Sequence, residues 1–267
     1  MDLLQIQAPQ FGIELSPSQL RAFEVYYHEL SDWNARFNLT TITSYEDVQR
    51  KHFLDSLLCL TAFPQEFQAG ANSDSQMPAY GKSLVLRCAD VGSGAGFPGI
   101  PLKILLPGIQ LSLIEATAKK AAFLEHMICV LGLSGVEVVC SRAETVGHDR
   151  SHREQCDVVL ARAVARLSVL AEYCLPLLRV GGCWIAQKGD GIEDELLEMS
   201  DALRALGGEL KEVKPYSLSD IAGSRYLVLV LKVAPTPSRY PRRVGIPTKR
   251  PLGSTVRPNN PEIVKAT

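Results

Sequence analysis

The chain has 267 residues and is nearly neutral, because 28 lysines and arginines stand against 29 acidic residues for a formal net charge of −1. Hydrophobic residues make up 46% of the chain and charged residues 21%, which is ordinary for a globular protein and excludes a disordered or fibrous one. Affinity for a polyanion must therefore come from where the basic residues stand, because there is no excess of them.

The cysteines contain no C-x-x-C pair and stand at Cys59, Cys88, Cys129, Cys140, Cys156, Cys174 and Cys183. Most lie within apolar segments, which predicts free thiols in a reducing compartment. No group of His, Cys or Asp has metal-ligand spacing, so no metal is expected. There is no apolar run of about 18 residues, and the start has no basic region followed by an apolar stretch. We expect a cytoplasmic protein that does not contact a membrane.

Residues 1–68 are predicted to form a small helical unit. A helix over 16–37 is indicated by Ser16-Pro17-Ser18-Gln19, which supplies an N-cap, a proline at the first helical position and a capping-box glutamine. A second helix is expected from Glu46 to about Leu60. Residues 69–83 are polar and contain glycine and proline, which is typical of a linker.

Strands and helices alternate over residues 84–234, which predicts a mostly parallel, twisted sheet with helices on both faces. The expected strands are 84–91, 110–115, 136–140, 157–162, 183–187, 209–216 and 225–232. The expected helices are 98–106, 117–131, 166–178 and 192–206, with Gly181-Gly182 as a turn. Because no helix separates the last two strands, one antiparallel strand is expected at or near a sheet edge. The fold class is therefore α/β and Rossmann-like.

The first strand of this sheet runs into a glycine-rich loop, and the second strand ends in an acid. The acid is Glu115, and the loop reads Asp90-Val91-Gly92-Ser93-Gly94-Ala95-Gly96-Phe97-Pro98-Gly99. This order is the layout of a nucleotide-binding unit, because glycines let the backbone approach a ligand and the acid can bind ribose hydroxyls. The alternative is a plain glycine turn, followed by an acid that only caps the next helix.

Two cofactors fit this loop. Residues 94–99 match the G-x-G-x-x-G pattern of dinucleotide sites, whereas residues 92–96 form the G-x-G-x-G loop that is usual for S-adenosylmethionine. Pro98 lacks the backbone N–H that a pyrophosphate would need. Residues 177–182, followed by a strand, are a second methyltransferase-like signature. We therefore favour a class I methyltransferase fold, with Gly92, Gly94 and Gly96 at the methionine end of the cofactor.

Further candidates stand at the carboxyl ends of the later strands, where the ligand of such a sheet binds. Ala143-Glu144 follows the third strand, where an adenine is usually bound, although Glu144 is equally typical of a helix start. Arg162 ends the fourth strand and is expected to point into the pocket and position the cofactor or the acceptor. Arg166 and Lys188 are candidates for holding substrate phosphate. Each of these basic residues has the alternative role of a structural ion-pair partner.

Residues 235–267 are predicted to form a basic, proline-rich tail. Between 232 and 258 the charged residues are all basic, namely Lys232, Arg239, Arg242, Arg243, Lys249, Arg250 and Arg257. Prolines disfavour regular helix or strand here. An extended basic arm suits a polyphosphate surface, and a solubilising disordered tail is the alternative.

On the second predicted helix, His52, Asp55 and Ser56 share one face. A hydrolase triad is disfavoured, because one helix face supplies neither a strained nucleophile nor an oxyanion hole. We expect His52 to pack against the α/β core or to order the loop that contains Asn38-Leu39-Thr40.

Six stretches, in this order, resemble the glucose-inhibited division protein B family, the small-subunit ribosomal RNA guanine-N7 methyltransferases. They are Trp33-Asn34-Ala35-Arg36-Phe37-Asn38-Leu39-Thr40, His52-Phe53-Leu54-Asp55-Ser56-Leu57, the glycine loop 90–99, Ala161-Arg162-Ala163-Val164-Ala165, Gln187-Lys188-Gly189 and Tyr240-Pro241-Arg242-Arg243-Val244-Gly245-Ile246-Pro247. The resemblance covers about residues 15–252. The chain departs from the family pattern at two places, a long loop at residues 69–83 and an additional tail at residues 253–267. Neither of them includes a motif residue.

The resemblance implies S-adenosylmethionine as the cofactor, with contacts at Gly92, Phe97, Glu115, Ala116, Thr117, Ala143, Glu144 and Arg162. It also implies methylation of N7 of one guanine in 16S ribosomal RNA, so the expected partner is that RNA or the small ribosomal subunit. Guanine N7 carries a lone pair and no proton, so the reaction needs no general base and no catalytic residue is assigned. Our candidates for gripping the RNA backbone are Arg166, Lys188, Arg225, Arg242 and Arg243.

Three alternatives to this function remain at the level of sequence. A small-molecule methyltransferase with the same core would not need the basic tail. A nicotinamide-dependent dehydrogenase would use the G-x-G-x-x-G match, and an RNA-binding protein that has lost catalysis would bind RNA without transferring a methyl group. Nothing in the sequence requires a dimer, so a monomer is expected.

Overall fold

The computed structural model of the chain describes residues 1–63, 85–162, 165–218 and 223–253. The predicted linker at 69–83 and the tail beyond residue 253 lie outside the described residues. The strands are β1 (Arg87–Val91), β2 (Gln110–Glu115), β3 (Val136–Cys140), β4 (Cys156–Arg162), β5 (Leu178–Lys188), β6 (Gly208–Tyr216) and β7 (Arg225–Lys232). The α-helices are α1 (Asp2–Gln7), α2 (Pro17–Phe37), α3 (Tyr45–Asp47), α4 (Asp55–Leu57), α5 (Gly99–Leu105), α6 (Ala118–Val130), α7 (Ala143–Val146), α8 (Leu167–Cys174), α9 (Ile192–Leu206) and α10 (Ile246–Lys249).

The strands form one seven-stranded sheet in the order β3-β2-β1-β4-β5-β7-β6. The pairs among β1 to β5 are parallel, whereas β7 is antiparallel to both of its neighbours, β5 and β6. Buried side chains form one apolar cluster on each face of this sheet, and helices supply part of both clusters. The Rossmann-like α/β prediction is confirmed, including the antiparallel strand next to one edge.

Helix α2 begins as the sequence predicts. The Ser16 hydroxyl accepts from the Gln19 N–H at 3.2 Å, and the Gln19 side chain accepts from the Ser16 N–H at 2.8 Å, which completes a capping box ahead of Pro17. The buried face of α2 carries Phe23 and Tyr26, which pack in the same cluster as the side chains under the sheet. The N-terminal helices and the sheet therefore share one hydrophobic core.

The second predicted helix is a helical stretch whose pitch changes along its length. It begins as α3, continues as a π-helix over Val48–Leu54 and as α4, and ends in a 3-10 helix over Leu58–Ala62. The π segment contains His52, which is buried. Wide turns of this kind often occur where a helix serves a functional site.

Two elements differ from their predictions. The helix expected over 166–178 ends at Cys174, because Pro176 has no N–H and its ring collides with the preceding turn of an α-helix. The chain then enters β5 at Leu178, so Gly181-Gly182 lies inside a strand and forms no turn before it. A Cβ at Gly182 would lie 2.8 Å from the Asp157 carbonyl oxygen, so glycine is required where β4 and β5 approach each other.

The tail also differs from prediction in its described part. Residues 233–253 fold back onto the core and contain the short helix α10, so no extended arm exists over this range. The Arg153 guanidinium donates to the carbonyl oxygens of Thr236 at 2.7 Å and Tyr240 at 2.8 Å, which binds the tail to the segment before β4. These two backbone carbonyls of the tail thus accept hydrogen bonds from a side chain, although they belong to no helix or strand.

Candidate functional site

A pocket of about 430 Å³ opens at the carboxyl ends of β1, β2 and β4. The structure brings all eight predicted cofactor-binding residues to its wall: Gly92, Phe97, Glu115, Ala116, Thr117, Ala143, Glu144 and Arg162. Their convergence follows from topology, because parallel strands end at one edge and β1 is the strand from which the chain winds in two directions.

The glycine loop needs its glycines for two different reasons. Gly92 and Gly94 have φ angles of +74° and +59°, in the left-handed region that glycine adopts without penalty. Both line the pocket, as predicted. Gly96 does not, because its α-carbon faces helix α2, and a Cβ there would lie 2.5 Å from the Tyr26 hydroxyl. Gly96 is therefore not part of the described pocket wall, and its predicted place at the methionine end stays a prediction.

Glu115 forms hydrogen bonds to both sides of the pocket floor. One carboxylate oxygen accepts from the Gly94 N–H at 3.0 Å, and the other accepts from the Thr117 N–H at 2.7 Å. Thr117 is the N-cap of α6, so the helix-capping alternative is part of the geometry. Each carboxylate oxygen has a further lone pair, and the residue lines the pocket. Two hydroxyls on adjacent carbons of a ligand could donate one hydrogen bond to each of the two Glu115 carboxylate oxygens.

Phe97 is held in place by three neighbours. The His52 ring stacks on it at 4.4 Å between centroids, and the Tyr26 ring stacks at 5.3 Å. The Arg162 guanidinium lies 4.9 Å from the centre of the Phe97 ring. This arrangement fixes one apolar wall of the pocket beside a permanent positive charge.

Arg162 connects the sheet to the π segment. It donates to Asp55 at 3.2 Å, to the Lys51 carbonyl oxygen at 3.1 Å and to His52 Nδ1 at 3.0 Å. His52 Nε2 lies 2.8 Å from the Thr40 hydroxyl, so the histidine both packs on the core and orders the loop after α2, as predicted. Burial, assisted by the charge of Arg162, lowers the pKa of His52 to about 3, so the ring is neutral at physiological pH.

A second carboxyl group, Asp90, lies beneath the loop. It is fully buried and accepts from the Gly99 N–H at 2.9 Å, while its other carboxylate oxygen has no hydrogen-bond partner among the described residues. Burial raises the pKa of Asp90 to about 7, against the opposing effects of the Gly99 hydrogen bond and the Arg162 charge.

The tail completes the side of the pocket where an adenine is expected. Glu144 is buried and accepts from the Gly245 N–H at 2.9 Å, and the Tyr173 hydroxyl lies 3.0 Å from that of Thr248. Next to Tyr173 on α8, Glu172 binds Arg242 of the tail, with contacts of 2.6 to 3.1 Å to its backbone N–H and guanidinium. The tail therefore supports two side chains of the pocket wall.

Four of the five predicted RNA-gripping residues are in ion pairs. Arg166 pairs with Glu198 at 2.8 Å, Lys188 with Glu195 at 2.8 Å, Arg225 with Asp55 at 3.1 Å and Arg242 with Glu172 at 2.7 Å. Arg166 is still half exposed, whereas Lys188, Arg225 and Arg242 are largely covered. Arg243 is exposed, and within the described residues no acidic side chain pairs with it. A direct role for each in RNA binding stays a prediction.

Several residues that line the pocket were not predicted to do so, namely Leu39, Thr40, His52, Lys120, Ser141, Arg142 and Tyr173. The His52 helix face and the Asn38-Leu39-Thr40 loop were conspicuous in the sequence, but their place in the pocket depends on contacts with residues more than 100 positions away. In the described part of the chain no helix has both the length and the apolarity to cross a membrane.

Comparisons with known proteins agree with this geometry. The family model GidB, described as rRNA small subunit methyltransferase G, matches residues 19–221. The chain is 48% identical to the ribosomal RNA small subunit methyltransferase G of Roseiflexus sp. (strain RS-1), over 94% of this chain and 100% of that protein. It is 47% identical to the protein of that name from Pelotomaculum thermopropionicum, over 92% and 95% of the two chains. It is 42% identical to the protein of the same name from Lactobacillus johnsonii, over 91% of this chain and 95% of that protein.

These matches confirm the predicted family and enzyme class, and with them S-adenosylmethionine as the methyl donor. They favour ribosomal RNA methylation over the small-molecule, dehydrogenase and non-catalytic alternatives, since the similarity extends over nearly the whole chain. The strand-end pocket, the glycine loop and the extent of the match thus lead to one conclusion: the chain belongs to the GidB family, the small-subunit rRNA methyltransferases G.

Proposed function

We propose that this protein transfers a methyl group from S-adenosylmethionine to N7 of one guanine in small-subunit ribosomal RNA. The observation that carries the proposal is the pocket at the carboxyl ends of β1, β2 and β4, in which the residues expected to bind the cofactor converge in a chain of this family.

The residues of the pocket fit the cofactor. Gly92 and Gly94 leave room for the methionine part, because neither carries a Cβ and both have backbone conformations that other residues avoid. Glu115 offers one unused lone pair on each carboxylate oxygen, and these would accept from the two ribose hydroxyls. Ala143 and Glu144, next to Tyr173, would border the adenine.

The chain contributes to the reaction mainly by alignment. The bound cofactor supplies an electrophilic methyl group on a sulfonium. The guanine N7 lone pair attacks that carbon, the carbon–sulfur bond breaks with its electron pair going to sulfur, and the base becomes positively charged. No proton is removed, which agrees with a neutral His52 that is already engaged with Arg162 and Thr40. Phe97 would hold the reacting groups in line at about 3 Å.

For RNA binding, the geometry favours Arg166 and Arg243, which are the most exposed of the five candidates. Lys188, Arg225 and Arg242 are the weaker candidates for contacting RNA phosphate, because each is already paired with a carboxylate. A guanine that is unpaired or flipped out of its stack is required, since its N7 must reach a methyl group held inside the pocket.

We also propose that the protein acts as a monomer in the cytoplasm. One chain supplies every residue of the pocket wall, so catalysis does not require a second subunit. The described residues contain seven cysteines, all of them free thiols, which is the usual state in a reducing compartment.

The experiment that tests the function uses labelled S-adenosylmethionine and small ribosomal subunits that lack the modification. The wild-type chain should yield 7-methylguanine in the RNA, and Glu115→Ala should abolish it while Glu209→Gln, at an exposed position on β6, should not. S-adenosylhomocysteine binding is measured in parallel. Label that fails to reach RNA despite tight S-adenosylhomocysteine binding would overturn the proposal.

A further inference from the structure

The hydroxyl of Thr40 lies on the pocket wall, and most of its hydrogen-bonding capacity is used. His52 Nε2 lies 2.8 Å from Thr40 Oγ1, and the Ile42 N–H donates to the same oxygen at 3.1 Å. A hydroxyl has one hydrogen to donate and two lone pairs that accept. What Thr40 can still offer therefore depends on whether His52 Nε2 carries a hydrogen.

Arg162 determines the tautomer of His52. Its guanidinium only donates hydrogen bonds, and it lies 3.0 Å from His52 Nδ1. The Lys51 carbonyl oxygen, the other group beside the ring, itself accepts from Arg162 at 3.1 Å, so we assign His52 Nδ1 as an acceptor without a hydrogen. The ring is neutral, because burial holds its pKa far below the physiological range. A neutral imidazole carries one N–H, so that hydrogen is on Nε2 and is donated to Thr40.

Both lone pairs of Thr40 Oγ1 are consequently occupied, one by His52 and one by Ile42. Its O–H is the capacity that remains, and the described residues offer it no acceptor. Thr40 shares the pocket wall with Phe97 and Arg162, on the side where the methionine end of the cofactor is expected. The protein thus presents to the pocket a hydroxyl that can donate and cannot accept.

We propose that the Thr40 hydroxyl donates to O6 of the target guanine and so selects guanine over adenine. This inference rests on the function proposed above. Guanine presents two adjacent acceptors, N7 and O6, on the edge that is methylated, whereas adenine carries the N6 amino donor in place of O6. A hydroxyl without acceptor capacity meets an acceptor on guanine and a second donor on adenine. His52 and Arg162 are positioning residues in this scheme, because they act through Thr40.

The first test changes the substrate and leaves the protein intact. Small subunits are reconstituted with RNA that carries guanine, inosine or 2-aminopurine at the position that the wild-type chain methylates. Inosine keeps O6 and 2-aminopurine lacks it, while both keep N7. We expect inosine to react within about threefold of guanine, and 2-aminopurine about ten- to a hundredfold more slowly, because it leaves the hydroxyl unpaired. Equal rates for guanine and 2-aminopurine would overturn the proposal.

The second test combines these RNAs with two variants. Thr40→Val keeps the shape and removes the hydroxyl, whereas Thr40→Ser keeps the hydroxyl. We expect Thr40→Val to lower kcat/KM on guanine about ten- to a hundredfold and to bring the ratio of guanine to 2-aminopurine rates close to one. Thr40→Ser should keep the wild-type ratio, and both variants should bind S-adenosylhomocysteine within about twofold of the wild type.

Two further results would overturn the inference. The Thr40→Val variant could keep the wild-type ratio, or it could lose S-adenosylhomocysteine affinity, in which case the hydroxyl serves the cofactor carboxylate. A wild-type chain that binds S-adenosylhomocysteine and methylates none of the three RNAs would instead refute the proposed function, so the two failures are distinct. If Thr40→Val does not fold, the wild-type comparison of the three RNAs decides the question alone.

Discussion

Removing Arg242 from its ion pair with Glu172 should cost much more folding stability than removing the charge of Glu172. The Glu172 side chain is 0% exposed and accepts four hydrogen bonds from Arg242, whereas the Arg242 side chain is 26% exposed. Arg242→Met leaves a buried carboxyl group without its counter-charge, which costs about 3–5 kcal/mol. Glu172→Gln keeps an acceptor for the tail and leaves a cation that can turn towards water, so we expect a loss of about 1–2 kcal/mol.

Equilibrium unfolding in urea measures these differences, and the double variant completes the cycle. We expect Arg242→Met to lower the midpoint of thermal unfolding by roughly 6–20 °C, since about 1 kcal/mol corresponds to about 2–4 °C in a chain of this size. The double variant Arg242→Met/Glu172→Gln should recover part of that loss, because the buried charge is gone. S-adenosylhomocysteine affinity should fall in Arg242→Met, as the tail no longer supports Glu144 through Gly245. A loss below about 1 kcal/mol, or a Glu172→Gln variant that is the less stable one, refutes this reasoning.

Three further predictions concern the pocket and its rim. Glu115→Gln should weaken S-adenosylhomocysteine binding about ten- to a hundredfold in calorimetry, because the glutamine amide keeps one acceptor oxygen and replaces the other with an NH2 group that only donates; unchanged affinity would exclude the ribose role. Arg243→Gln should reduce the slope of log Kd for RNA against log salt by about one, whereas Arg242→Gln should leave it unchanged; equal slopes for the two variants would contradict their assignment. Burial raises the pKa of Asp90 in the folded protein to about 7, whereas an aspartate in the unfolded chain titrates near its ordinary pKa of about 4. The stability that Asp90 contributes below about pH 4 is therefore lost progressively as pH rises to about 7. Asp90→Asn should remove that decline from urea unfolding profiles, and profiles parallel to the wild type would show that Asp90 does not titrate in this window.

The sequence predicted most of the sheet and most of the pocket, because both depend on local patterns. Most of the strands are apolar runs bounded by turn residues, and the topology of parallel strands brings their carboxyl ends together without further information. Glu115 and Arg162 were therefore placed correctly from their positions at strand ends. The capping box before α2 is equally local, and it formed as expected.

Long-range partners were not predictable in this way. His52 and Arg162 are 110 residues apart, and Arg242 and Glu172 are 70 residues apart, so no local pattern relates them. The tail shows the consequence, since its basic residues looked free in the sequence and the structure pairs Arg242 with a buried acid. Charge and proline content predict that a segment does not form a regular helix or strand. They do not predict which surface of the protein the segment packs against.

The contact between helix α2 and the glycine loop has a consequence for how the protein is made. The Tyr26 hydroxyl donates to the Ala95 carbonyl oxygen, 69 residues further along the chain, and the Tyr26 ring stacks on Phe97. On the ribosome α2 emerges first and must wait, with its apolar face uncovered, until the first two strands have been synthesised. The chain can then bind the cofactor only late in synthesis, when α2 packs against the glycine loop that has been synthesised after it.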